Sequence, residues 1–386
     1  MNRPPARPAP RRAQPRSESI TALVLQGGGA LGAYQAGACE ALTEAGEHPD
    51  WVAGISIGAI NAALIAGNPP EQRCAKLQEF WTRVSVDLPN PVWAGSDGPL
   101  RSWANDCAAM FGAAFGLPAF FEPRPVAAWW PGELPKPSLY DTAPLRHTLL
   151  ELVDFERLND GPVRLSLGAV DVKRGNFEYF DNRSQRIGPE HVMASGALPP
   201  GFPAISIDGR DYWDGGLVSN TPLSHVVENL DADSATIFQI DLFSARGELP
   251  RTLAEVAERE KDIRFSSRTR AVTDRLRERH ELHRRMCALA EMLPPARRAS
   301  PEVRKILAEM HDPAISLVHI IHRNKGIETQ TKDYEFSRTS MREHWQAGRA
   351  DMAQSLRALA DAPPASEPGA FRVFDYTTAR PQGQTA

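Results

Sequence analysis

The residues best placed to do chemistry begin with Ser56, which stands in Gly54-Ile55-Ser56-Ile57-Gly58, a G-x-S-x-G pattern. A β-rich run, WVAGIS (51–56), precedes it, and the helix formers IGAINAALIAG follow. That is the context a nucleophile elbow requires, because a serine on a tight strand-to-helix turn projects its hydroxyl outward. Gly54 and Gly58 flank it because the backbones come close there. The helix that starts after Ser56 aims free N–H groups at any nearby anion. Chance alone produces such a pattern about 0.1 times in a chain of this composition, and a plain small-residue turn is the alternative reading.

Gly27-Gly28-Gly29-Ala30-Leu31-Gly32 follows the first apolar run and opens the first helical one. Four glycines at this spacing arise by chance only about 0.01 times per chain. Successive glycine amides can turn to one side and form an anion cradle, suited to a phosphate or to the oxyanion of acyl transfer. Close strand–helix packing is the structural alternative. Gly27, Gly29 and Gly32 also spell G-x-G-x-x-G, but the acidic residue that a dinucleotide fold needs at the end of its second strand is missing, since Asp50 precedes that strand. No Gly-Lys-Ser/Thr completes a P-loop. The cradle therefore reads as an oxyanion site.

An attacking serine needs a base. Nine histidines follow Ser56, none in a distinctive motif. Tyr212-Trp213-Asp214-Gly215-Gly216 instead places a carboxylate at the end of a strand-like run with two permissive glycines behind it. Asp-Gly is also a common turn, so this motif alone decides nothing. A hydrolase triad in chain order would be Ser56, Asp241 and His319 or His322, although such folds place more strands before the nucleophile than fit here. A non-catalytic lipid-binding protein that keeps the turn as scaffold is the remaining alternative. No metal site is expected: His280 and His283 share a helix face, but a charged surface helix explains them.

The elements that must position these groups alternate strand and helix. Residues 20–26 (ITALVLQ), the glycines and a helix-spaced run make one βα unit, and 51–56 with the apolar helix behind it make a second. Two consecutive units argue for a mostly parallel sheet covered on both faces. Residues 71–86 read as a helix. Then ten aromatics between Phe80 and Trp130 are interleaved with Pro and Gly, including Trp93, Trp103, Phe111, Phe115, Phe120, Phe121, Trp129 and Trp130. This stretch reads either as a lipid-facing lid or as a satellite core under an irregular insertion. Residues 163–172 and 176–182 form a hairpin, a helix covers about 190–197, and strands follow at 204–207, 211–213 and 236–243. Residues 251–290, with eleven Lys/Arg against seven Asp/Glu, form a charged helix. A strand at 315–322 and a helix at 336–361 come last.

A formal charge of -4 gives no case for nucleic-acid binding. The first seventeen residues hold five Arg and five Pro with no apolar run, and read as a disordered tail. Four separated cysteines without a CxxC pair indicate neither a disulfide framework nor a zinc cage. The separated cysteines make a reducing, cytoplasmic compartment the expectation, and since no stretch reaches about eighteen apolar residues none is expected to span a bilayer, with peripheral membrane attachment left open.

Together, GGGALG, GISIG and WDGG, in this order and with ASGALPPGFP (194–203) ahead of the aspartate, resemble the patatin-like phospholipase family over about residues 20–245. The resemblance implies a three-layer α/β/α fold with a mostly parallel central sheet, no cofactor and lipid or other acyl esters as substrate. It implies a dyad of Ser56 as nucleophile and Asp214 as proton acceptor, with Gly28 and Gly29, flanked by Gly27 and Gly32, in the oxyanion hole. Gly54 and Gly58 shape the elbow, and Gly215 and Gly216 shape the turn after the base. Leu31 departs from the family, many of whose members carry Arg or Lys there, which weakens a claim for phospholipids over neutral esters. The expected organisation is a tail (1–19), a catalytic domain (20–245) with an aromatic insertion (87–137), a largely helical C-terminal extension with one strand (246–362) resembling one bacterial subgroup, and a loosely ordered tail (363–386).

Overall fold

A computed structural model of the chain describes residues 17–87, 98–125, 136–309, 313–323, 328–361, 365, 367 and 369–377. Trp93, Trp129, Trp130 and the first sixteen residues of the Arg/Pro-rich tail lie outside them.

The described strands are β1 (Ser17–Leu25), β2 (Trp51–Gly54), β3 (Glu122–Pro123), β4 (Tyr140–Asp141), β5 (Arg164–Asp171), β6 (Phe177–Asp181), β7 (Ile205–Ile207), β8 (Arg210–Asp214), β9 (Ala232–Asp241), β10 (Ala314–Ile321) and β11 (Phe371–Asp375). Nine of them make one sheet in the order β11-β10-β9-β1-β2-β5-β8-β7, with β6 on β5. From β11 to β5 every neighbour is parallel, while β6, β8 and β7 join antiparallel. This is the mostly parallel α/β sheet expected from the sequence, and β5–β6 is the expected hairpin.

Strand periodicity explains why both faces need a helical layer. In β1, Leu23 and Leu25 enter one apolar cluster while Ala22 and Val24 enter another. Phe238 and Ile240 alternate with Ala235 and Ile237 in β9, and Val318 and Ile320 with Ile315 and Leu317 in β10. Side chains that alternate across a strand reach water on neither side only when both faces are covered. The helices Gly32–Glu44, Ile57–Ala66 and Arg338–Asp361 contribute to the first cluster, and Leu223–Glu228 with Leu276 of the long helix Leu253–Glu291 to the second. Each fully buried large aliphatic side chain contributes about 2 kcal/mol by leaving water.

Two regions differ from the sequence reading. The aromatic insertion contains a helix, Pro99–Phe115, that the Pro and Gly punctuation on either side concealed; its Pro at the start and its alanines suit a helix. The C-terminal extension supplies the one strand expected of it, β10, but the tail expected to be loosely ordered adds another: residues 371–375 pair with β10 as β11. That strand is short and only partly buried, so its own apolar pattern is weak, and the exposed edge of β10 recruits it.

Candidate active site

The sheet register brings the motifs together. Leu25 at the end of β1 pairs with Gly54 at the end of β2, so the glycine-rich loop and the serine turn leave adjacent strands at one level. This is the carboxyl edge beside the point where strand order reverses, with β2 on one side of β1 and β9 on the other, the place where open α/β sheets bind ligands. On β5 the neighbour changes in mid-strand. β2 pairs with it as far as Leu167, and β8 takes over from Ala169, which faces Asp214. The serine turn and the aspartate thus emerge on either side of Gly168. A Cβ there would stand 2.4 Å from Ile55 Cδ1 and 2.5 Å from the Phe177 ring, so glycine at this position lets those two side chains pack over the junction.

Ser56 has φ 56 and ψ -124, a conformation that L-residues seldom adopt. Its surroundings hold it there. Ser56 N–H donates to the Ser195 backbone oxygen and to Ser195 Oγ, both at 3.1 Å, while Ser195 Oγ–H donates to the Gly168 oxygen at 2.7 Å. Ile55 N–H donates to the Leu25 oxygen. Gly58 is obligatory for the turn, since a Cβ would approach the Leu25 oxygen to 2.4 Å. Strain of this kind persists only where the surroundings over-determine it.

Asp214 is 2% exposed. Its Oδ1 accepts the Gly216 N–H at 2.7 Å, and its own N–H donates to the Ala197 oxygen at 3.0 Å. Burial pushes its carboxyl up to about 6, partly offset by hydrogen bonds from the Ser56 hydroxyl and the Gly216 amide. Ser56 and Asp214 therefore face each other. They line one cavity of about 410 Å³ together with Gly27, Gly28, Gly29 and Ile57. Phe120, Phe121, Tyr140, Phe202 and Phe336 form its aromatic wall, with successive ring centroids 4.7–6.1 Å apart.

The four loop glycines are not equivalent. Gly27 N–H donates to the Asn220 oxygen and Gly32 N–H to the Gly29 oxygen, so neither amide is available to an oxyanion. This corrects their placement beside the oxyanion donors: their amides hold the loop's own shape. Gly28 and Gly29 N–H have no acceptor among the described residues, and neither does Ile57 N–H, the first amide of the helix behind Ser56. The loop is held from both sides, by Asn220 Nδ2 on the Gly27 oxygen at 2.9 Å and by the Asp333 oxygen on Ala30 N–H at 2.8 Å.

Among the described residues no histidine lines this cavity. Asp241 and His319 do meet, at 3.3 Å, but they line a separate cavity, and His322 bonds Glu328 at 2.8 Å. The Ser-Asp-His alternative is not assembled. His280, one of the two helix-face histidines, is buried against Phe371. The supporting residues that motif reading passed over are Gly168, Ser195, Asn220 and Asp333, because each acts through the backbone of a distant segment. Only Ser195 left a trace, inside ASGALPPGFP.

A family model described as Patatin-like phospholipase matches residues 23–227, more than half of the chain. The chain belongs to the patatin-like phospholipase family. It is accordingly a hydrolase of lipid esters, and a second model, described as Patatin phospholipase, matches residues 263–365. Among solved structures, this patatin-like chain is similar to VipD from Legionella pneumophila, at 14% identity and TM-score 0.37 over 88% of this chain and 67% of that one. It is also similar to ExoU in the ExoU-SpcU complex of Pseudomonas aeruginosa, at 14% identity and TM-score 0.32 over 90% of this chain. It spans about half of ExoU, 53% of that chain. No curated protein sequence matches.

Proposed function

We propose that this enzyme cleaves acyl esters through an acyl-enzyme on Ser56, with Asp214 as the sole proton acceptor. The observation that supports the reading is the strained Ser56 turn lining one cavity with the buried Asp214, whose carboxyl burial pushes up to about 6. Asp214 takes the hydroxyl proton as Oγ attacks the ester carbonyl, returns it to the departing alcohol, and then activates water to release the acid. Near neutral pH such a carboxylate is ionised yet far more basic than an exposed aspartate, which is what abstraction from an alcohol demands. The Gly28 and Gly29 amides, joined by that of Ile57, receive the oxyanion, each typically worth about 3–4 kcal/mol in the transition state.

The cavity also indicates the ester. Its lining contains no Lys or Arg among the described residues, and Leu31 is fully buried in the core. The acyl chain lies along aromatic rings, and no cation is positioned for an anionic head group. Neutral and zwitterionic esters therefore suit the site better than anionic phospholipids. The helix Pro99–Phe115 reaches the cavity through Ala113, whose oxygen accepts the Tyr140 hydroxyl. It also exposes Leu100, Trp103, Met110, Phe111 and Phe115. That face is suited to rest on a lipid surface and pass acyl chains inward; among the described residues no helix is long and apolar enough to cross a membrane. Phe120 and Phe121 are instead buried in the core.

The test is a fluorophosphonate probe and p-nitrophenyl ester turnover. Wild type is expected to be labelled at Ser56 and Ser56→Ala to be inert in both assays. Undiminished hydrolysis by folded Ser56→Ala protein sinks the proposal.

A further inference from the structure

A second cluster of ligating side chains lies apart from the Ser56 cavity. His322 follows β10, Glu328 opens the segment that leads to Asp333, and His344 belongs to the helix Arg338–Asp361. One ligand atom from each falls within 4.8 Å of the other two. His322 Nε2 is 2.8 Å and His344 Nε2 3.4 Å from the same Glu328 oxygen, Oε1. The three side chains are 1%, 6% and 6% exposed. Two further atoms, Glu328 Oε2 and His344 Nδ1, are sealed from water and have no hydrogen-bond partner among the described residues. A buried carboxylate oxygen without a donor is costly, and a divalent cation is the species that satisfies lone pairs where protons are lacking.

We infer that His322, Glu328 and His344 bind one divalent first-row transition-metal ion. Two imidazoles and a carboxylate form a donor set suited to zinc, iron(II) or cobalt(II) rather than to magnesium or calcium, which require a shell of oxygens. A chelating Glu328 would supply a fourth donor through Oε2, completing the coordination number usual for structural zinc. The ion would join three segments distant in sequence: the end of β10, the segment running to Asp333, and the helix packed on Gly32–Glu44. Asp333 holds Ala30 N–H and lines the Ser56 cavity with Tyr334 and Phe336, so the clamp would steady the glycine loop without touching substrate.

The experiment titrates zinc into the full chain, stripped with EDTA, against a chromogenic chelator, with elemental analysis after gel filtration. Wild type and His283→Ala are expected to retain one zinc per chain and to melt at higher temperature with zinc than with EDTA. Glu328→Gln and His344→Ala are expected to bind at least tenfold more weakly and to lose that difference in melting. Failure of wild type to bind zinc at micromolar concentration, or equal binding by wild type and both variants, overturns the site. If both variants fail to fold, cobalt(II) added to wild type decides: ligand-field absorption in the visible supports the cluster, and its absence refutes it.

Discussion

Two buried aspartates end strands of one sheet and have different neighbours. Asp214, closing β8, is 2% exposed and meets the hydroxyl of Ser56. Asp241, closing β9, is 5% exposed and meets Gln239 Nε2 at 2.8 Å and His319 Nδ1 at 3.3 Å, in a cavity of about 230 Å³ flanked by Arg246, Arg270, Arg277 and Arg323. By residue type the second cavity is the more familiar hydrolase assembly, since it holds an aspartate, a histidine and the serines Ser244 and Ser266. Those hydroxyls are committed to the backbone oxygens of Arg246 and Asp262, however, and neither serine has the positive φ of Ser56. What sets the first site apart is a serine held at positive φ facing a buried carboxylate, not its inventory of side chains, and the proposed chemistry rests on that difference.

The largest expected effect separates the two sites. Ser56→Ala and Asp214→Asn should each lower kcat/KM for p-nitrophenyl esters by about 10³-fold or more, while Asp241→Asn and His319→Ala leave it within about threefold. A collapse with His319→Ala in folded protein would transfer the chemistry to the second cavity. Next comes the support of the turn. Ser195→Ala removes the hydroxyl that bridges Ser56 N–H and the Gly168 oxygen, and should cost about tenfold in kcat with little change in KM. Equal loss in KM would show that the bridge shapes binding instead.

The pH dependence follows from the raised carboxyl of Asp214. If Asp214 is the base, as proposed, the ionised form is the active one, so kcat/KM should rise through an acid limb near pH 6 and fall about tenfold per unit below it. The sign for stability is opposite. A folded-state value above the unfolded one means that the folded protein holds its proton more tightly, so stability is full below about pH 4 and declines as pH rises through about 6. The amount is roughly 3 kcal/mol, and Asp214→Asn should therefore melt no lower than wild type at pH 8. Melting well below wild type would mean that the carboxylate supports the fold as well as the reaction. The smallest effect concerns the exposed helix: Trp103→Ser with Phe115→Ser should weaken liposome binding severalfold and spare soluble-ester turnover. Unchanged liposome affinity would remove the helix from lipid contact.

Local chemistry was legible wherever it was local. The G-x-S-x-G turn is set by contacts within a few residues of Ser56, and the apolar alternation of β1, β9 and β10 records that both faces are covered. The helix Pro99–Phe115 was missed because punctuation around it resembles loop. The edge strand β11 was missed because an edge strand is recruited by its neighbour and needs little pattern of its own. Gly168 carries no motif at all; its importance arises where two strands exchange places along a third.

Order along the chain was enough to specify the serine turn, the glycine-rich loop and a mostly parallel sheet, since each is encoded by backbone preferences and periodicity over short spans. Which carboxylate reaches the serine, which two loop amides stay free, and that His322, Glu328 and His344 converge were settled only by the register of strands and the docking of helices from opposite ends of the chain. Hydrogen-bond partners separated by a hundred or more residues leave no spacing to read, because the contact depends on how the layers close and not on the distance along the sequence.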